Sequence, residues 1–249
     1  MNNNQLDTLS EFRAAQSKDA LWSLLHNALT KFGGTSIFYG FAHSLKLAEQ
    51  IGNKEAMYHR TSHPASLGEY YQHKNYHYIN DSLPVLHCAV STKPFIWHND
   101  EEWVNATSIQ KHMRQVNGSI GLEVGVSIPL RFNAQHGLGG IGIATGDLKP
   151  DEFNTLWSEH QNEIKNIVYG FDMLTRDEHM DEIYPLTVRE KETLQWLAVV
   201  GSPACNIGRK MGIEDTTVRT HLTSACRKLK VQRPEQAMTK ALTLNIISL

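Results

Sequence analysis

The sequence predicts an α+β chain in two parts. The first is an N-terminal α/β/α sandwich around an antiparallel sheet; the second is an all-α C-terminal domain of four short helices. Three observations predict this. Two apolar β runs, VGVSIPLRF (124–132) and GGIGIATGD (139–147), flank a Gly-containing turn, the pattern of a hairpin. Stripes of apolar residues at helical spacing precede and follow them. Beyond residue 185 the pattern is helical only.

The elements follow in order. Leu21, Leu24, Leu25, Ala28 and Leu29 recur at helical spacing, predicting an amphipathic helix over 11–32. The pair Gly33-Gly34 ends it and a strand follows within GGTSIFYGFAHS (33–44). HPASLGEYYQHKNY (63–76) reads as a helix with Pro64 and Ser66 near its start. The glycines of the second hairpin strand predict close packing on one face. Residues 149–174 form a long helix with Phe153, Leu156, Trp157, Ile164, Ile167 and Val168 on one side. The polar, acidic TRDEHMDEIYP (175–185) is the expected linker, dividing a first domain, 1–174, from a second, 186–249.

Composition narrows the function classes. With 41% hydrophobic and 20% charged residues the chain has a globular composition, and no apolar run reaches the roughly 18 residues of a membrane span. The opening MNNNQLDTLSEF lacks the basic-then-apolar pattern of a signal peptide. Three scattered cysteines argue against a disulfide framework and fit a reducing cytoplasm. The net charge of −2 conceals an asymmetry: residues 186–249 hold 10 Lys and Arg against 5 Asp and Glu, or +5, leaving −7 elsewhere. A basic module on an acidic body points to a polyanionic partner.

That module parses into four helices. Thr187 and Glu190 form a capping box, followed by Leu194, Leu197 and Ala198 on one face, and Gly201 stops the helix. Ser202-Pro203 starts a short second helix with Ile207 and Met211 inward. Gly212 permits a tight turn and Asp215 caps the third helix; a fourth runs from Pro234 to about Ile246. Helix, short Gly turn, helix is the helix-turn-helix layout. The third helix has two unlike faces. Val218, Leu222, Ala225 and Leu229 form a buried stripe, whereas Thr216, Thr217, Arg219, Thr220, Thr223, Arg227 and Lys228 give a face without an acid. Hydroxyls and Arg suit phosphate oxygens, and Arg reads guanine bidentately. Cys205 and Cys226 read as buried small apolar groups.

The segment LTVREKETLQWLAVVGSPACNIGRKMGIEDTTVRTHLTSACRKLKV resembles the DNA-binding domain of LuxR-type transcription factors. Leu186, Thr187, Arg189, Glu190, Glu192, Leu194, Gly201, Ile207, Thr217, Val218, His221, Lys228 and Leu229 fall on that pattern. There are departures: one residue more before Gly201, Glu214 where a capping Ser is typical, and Gly208 in place of a better helix former. Propensity alone predicts that Gly208 loosens its helix by roughly 1 kcal/mol relative to Ala. The resemblance implies that the third helix enters the major groove. Thr216, Thr217, Arg219, Thr220 and Thr223 would then face bases or phosphates, and Arg227, Lys228 and Lys230 the DNA backbone.

The N-terminal part resembles the acyl-homoserine-lactone-binding domain of quorum-sensing LuxR regulators, on the stretches 63–97 and SIGLEVGVSIPLRF (119–132), with Gly121 and Gly125 in the family's spacing. The resemblance implies a pocket in which Tyr71 and Trp97 are aromatic walls, Asp81 accepts the ligand amide N–H, and Ser127 supplies a hydroxyl. With one residue extra between Tyr71 and Asp81, Asn80 is the gap-free alternative. Phe38, Tyr39 and Val85 would add apolar lining. Two positions depart: Leu67 stands where the family has a lactone-binding Trp, and His63 where it has a Tyr reaching the amide carbonyl.

The expected ligand is an N-acyl-homoserine lactone, with another small signal, or control by a partner protein without a ligand, left open. Expected partners are double-stranded DNA, the autoinducer and a second copy of the chain, on a pseudo-palindromic site. RNA polymerase is a further partner open to such a regulator. A phospho-receiver is excluded because no acidic cluster follows the first strand. No nucleophile elbow, P-loop or G-x-G-x-x-G marks an enzyme or a cofactor. His59 and His63, like His73 and His77, are four apart, but no acid or Cys completes a metal set.

Overall fold

The computed structural model describes residues 3–42, 57–74, 81–130, 138–201 and 203–249. Helices α1 (Asn3–Arg13) and α2 (Lys18–Thr30) precede strand β1 (Ser36–Ala42). The single helix expected over 11–32 is therefore two. Ser17, in an extended conformation, accepts a hydrogen bond from the Ala20 N–H and starts α2 afresh. Strand β2 (Met57–Thr61), α3 (Ala65–His73), α4 (Leu83–Val90) and β3 (Phe95–Ile96) follow. Helix α5 (Ser108–Ser119) begins with a Thr107–Gln110 capping box. Then come β4 (Gly125–Pro129), β5 (Leu138–Ala144) and the long α6 (Pro150–Glu178).

The five strands form an antiparallel sheet in the order β2-β1-β5-β4-β3. Its two faces do different things. Ile37, Tyr39, Phe41, Val126, Ile128, Ile141 and Ile143 bury themselves against Leu21, Leu25, Phe153, Ile164, Val168 and Phe171 of α2 and α6. The other face carries Phe38, Gly40, Ser127, Gly140 and Gly142, covered by α4 and, at one end, by Leu67 of α3 and Met113 of α5. This is the α/β/α sandwich.

The segment 175–185 is not an extended linker. Helix α6 continues through Glu178, α7 (Met180–Ile183) follows, and Arg176, His179, Met180 and Tyr184 are all buried. Beyond it lie α8 (Val188–Val200), α9 (Ala204–Met211), α10 (Asp215–Lys228) and α11 (Pro234–Thr243). Among the described residues no helix is long and apolar enough to cross a membrane.

Candidate functional site: a sheet-floored cleft and a basic helix

The cleft lies between α4 and the glycine-bearing face of the sheet, with an empty volume of about 740 Å3 including its open part. Strand register builds its floor. Phe38, Gly142 and Ser127 lie side by side on β1, β5 and β4, and Gly40 pairs with Gly140 in the next row. The glycines are there because helices and rings come too close for a side chain. A β-carbon at Gly140 would lie 2.9 Å from Cys88 Sγ of α4. One at Gly125 would lie 2.7 Å from Trp97 Cε3 and 2.3 Å from the Ile143 carbonyl oxygen. The close packing expected of the second hairpin strand is thus against Trp97 and Cys88.

Trp97 is held by its polar edge and its backbone. Its indole Nε1 donates to Ser127 Oγ at 2.8 Å, and its carbonyl accepts from Trp103 Nε1 at 2.8 Å. Ser127 thereby keeps its own hydroxyl proton for donation into the cleft. His63 also lines the cleft, its Nδ1 hydrogen-bonded to the Ser36 hydroxyl and its ring stacked with Phe38. Burial lowers its pKa to about 4, so the imidazole is neutral at physiological pH. Burial pushes the Cys88 thiol up to about 12, leaving it a small apolar wall.

Of the residues expected in the pocket, His63, Val85, Trp97 and Ser127 line this cleft together, with Phe38. Tyr39 does not. It is 1% exposed on the opposite face of β1, and its hydroxyl donates to Asp172 Oδ1 at 2.7 Å within the α6 core. Strand alternation puts Phe38 and Tyr39 on opposite faces, so only one can reach the cleft. Leu67 packs behind the lining, against Met113, Leu122 and Trp97. Asp81 is half-buried and outside the lining, whereas its neighbour Ser82 is inside it. The backbone of Tyr71 is in α3; its side chain and Asn80 lie outside the described residues. Sequence reasoning missed Ser82 and Asn117 of the lining. No Lys, Arg, Asp or Glu occurs among the described lining residues.

The second site is α10. Its apolar stripe is buried as expected, and Thr216, Thr217, Arg219, Thr220, Thr223, Arg227 and Lys230 are exposed. The Thr220 hydroxyl donates to the Thr216 carbonyl at 2.9 Å, leaving its oxygen lone pairs as the part that faces outward. Lys228 departs from expectation. Its Nζ donates to Glu190 Oε2 at 2.7 Å, so its charge is spent inside the domain. Glu190 is 3% exposed and also accepts from the Thr187 N–H, closing the capping box. Burial would raise its pKa, but the bonds from Lys228, Ser224 and the Thr187 N–H outweigh it and bring the value to about 2.

Other expectations shift by a residue or reverse. Helix α9 is preceded by Pro203 as N-cap, one residue later than expected, and Ser202 lies outside the described residues. Glu214, not Asp215, is the N-cap of α10, without a side-chain cap bond. Cys226 is buried, but Cys205 is exposed. Gly208 is required: a β-carbon there would lie 2.6 Å from the Ile213 carbonyl oxygen, across the turn that Gly212 makes at φ +65°. At the far end of α10, the fully buried Lys240 donates to the Leu229 carbonyl at 2.9 Å and lies over the Tyr184 ring. A cation on the last carbonyls of a helix satisfies one of its unpaired acceptors.

Comparison with known proteins identifies both domains. Residues 17–168 match the family described as "Autoinducer binding domain", and residues 184–241 match "Bacterial regulatory proteins, luxR family". The chain is 26% identical over 246 residues to the transcriptional activator protein AnoR of Acinetobacter nosocomialis, covering 98% of each. It is 30% identical over 173 residues to the quorum sensing-dependent transcriptional regulator RpaR of Rhodopseudomonas palustris, covering 68% of this chain and 67% of that one. Among solved structures, Escherichia coli SdiA shares the fold over 99% of both chains, with a TM-score of 0.65 at 19% identity. SdiA in complex with octanoyl-rac-glycerol gives a TM-score of 0.59 at 17% identity, over 99% of this chain and 97% of that one. The matched domains are those of transcription regulators, not of enzymes. The chain belongs to the LuxR family of bacterial quorum-sensing transcription regulators, with an autoinducer-binding domain followed by a luxR-type helix-turn-helix domain.

Proposed function

We propose that the cleft binds an uncharged acyl signal, in first place an N-acyl-homoserine lactone, and that its occupancy controls binding of DNA by α10. The observation that carries the reading is the chemistry of the cleft. Phe38, Val85, Trp97 and Leu122 offer an apolar wall, while Ser127, Ser82 and a neutral His63 offer a few hydrogen bonds and no ionised group. That combination suits a long apolar tail with a polar, neutral head. It disfavours fatty-acid anions, whose charge would be buried without a partner.

Two copies of the chain would place two α10 helices about one DNA turn apart on a pseudo-palindromic site, in the cytoplasm. Arg219 and the exposed threonines would read bases, and Arg227 and Lys230 would hold phosphates. The division into a ligand domain, 1–174, and a DNA domain, 186–249, follows the same reading.

A second ligand class is favoured by one observation. SdiA, which shares the fold, is described in complex with octanoyl-rac-glycerol, an acyl ester without a lactone. Leu67, at the position of the family's lactone-binding Trp, carries no donor and lies behind the cleft lining. The test is an organic extract of the purified protein, expressed in cells that make acyl-homoserine lactones and examined by mass spectrometry. A stoichiometric lactone or acylglycerol supports the reading. An extract with neither, from protein that binds DNA at full affinity, contradicts it.

A further inference from the structure

We propose that Ser82 is the polar anchor of the cleft, and that its hydroxyl lets the site take acyl esters as well as acyl amides. The proposal rests on the cleft being the ligand site. Ser82 is the N-cap residue of α4, in the extended conformation usual for that position (φ −82°, ψ 110°). An N-cap serine normally turns its oxygen onto the first-turn N–H groups. Ser82 makes no such bond, and no other described group holds its hydroxyl. It is 8% exposed and lines the cleft. The hydroxyl opens onto the cleft, so a ligand can take the hydrogen bond that the protein leaves unmade.

Its neighbour does not line the cleft. Ser82, Val85, Cys88 and Ala89 fall on one face of the α4 segment, all lining the cleft. Asp81 precedes the helix, beyond the extended turn of the backbone at Ser82, and lies outside the lining. The substitution of one polar type for another changes what can bind. An ionised carboxylate only accepts, so it pairs with an N–H or O–H of the ligand and cannot pair with an acyl carbonyl. A serine hydroxyl accepts from an amide N–H or donates to an ester or amide carbonyl. Ser127, across the cleft on β4, offers a second donor.

The experiment is isothermal titration of the full-length protein with two probes, N-octanoyl-homoserine lactone and octanoyl glycerol. Wild-type protein is expected to bind both. Ser82→Ala should weaken both by about three- to tenfold, the worth of one neutral hydrogen bond. Ser82→Thr, which keeps the hydroxyl, should restore both. Circular dichroism and a melting curve show that each variant is folded. Ser82→Ala binding both probes at wild-type affinity overturns the assignment, and a loss in Asp81→Asn alongside would hand the role to Asp81. Wild-type protein binding neither probe overturns the ligand reading of the cleft itself.

Discussion

Lys228, on helix α10, donates to Glu190 Oε2 at 2.7 Å, 38 residues earlier in the chain. One carboxylate therefore does two tasks: it closes the capping box that starts α8, and it ties α10 to α8. Helix α10 is held against α8 by that pair and, at its C-terminal end, by Lys240 on the Leu229 carbonyl.

The pair makes stability pH-dependent. Glu190 titrates at about 2 in the folded chain against 4.5 for a free carboxyl. The folded value is the lower one, so the stabilisation is fully present above pH 4.5 and is lost as the pH falls from there toward 2. It amounts to about 3 kcal/mol from a shift of this size. Denaturant unfolding of wild type and Glu190→Gln should show a gap of about 3 kcal/mol at pH 7 that closes near pH 2. A gap independent of pH would contradict this.

The same pair separates two cations that the sequence puts on one face. Arg227→Ala should lower the slope of log K against log salt for DNA binding by about 1. Lys228→Met should leave that slope unchanged while lowering the melting temperature. Arg219→Ala should weaken the specific site more than random DNA, as expected of a side chain that reads bases. These are read from fluorescence-anisotropy titrations at several salt concentrations.

Gly208→Ala is a substitution in which helix propensity and packing disagree. Propensity favours Ala by roughly 1 kcal/mol. The Ile213 carbonyl oxygen, 2.6 Å from the new β-carbon, is backbone and cannot step aside. Packing should win: overfilling of this kind costs about 1–3 kcal/mol, and the melting temperature should fall. A rise would show that the turn can open at little cost.

Gly125→Ala should disturb the cleft directly. Its β-carbon would meet the Ile143 carbonyl oxygen and the Trp97 ring, displacing the indole and breaking its bond to Ser127. A loss of ligand affinity together with a shift in tryptophan emission is expected. Unchanged emission and affinity would mean that Trp97 is not held as described.

How much of this was legible in the sequence differs by element. The helix-turn-helix was readable because its apolar stripe, Val218, Leu222, Ala225 and Leu229, alternates with polar residues on a helix half in solvent. Strand β1 was readable as a strand, but not its sidedness. Both faces of SIFYGFA are buried, one by α2 and α6 and one by α4 across the cleft, so no polar alternation marks which of Phe38 and Tyr39 meets the ligand. Lys228 looked like a DNA contact because its partner is distant in sequence. Helix α5 had a legible signal, Thr107 followed by Gln110 and then Met113 and Val116 at helical spacing, that went unread. Ser82 could not be told from Asp81 by spacing alone, since both fall on the helical arc that carries Val85, Cys88 and Ala89.

Occupancy of the cleft is proposed to govern the grip of α10 on DNA. Its most direct test is the dissociation constant of the full-length protein for a DNA site selected from random sequence, measured with and without saturating N-octanoyl-homoserine lactone or octanoyl glycerol. At least one of these ligands should change the constant by about fivefold or more, the range of ordinary allosteric coupling. The same constant with either ligand present, in protein shown by calorimetry to have bound them, would contradict it.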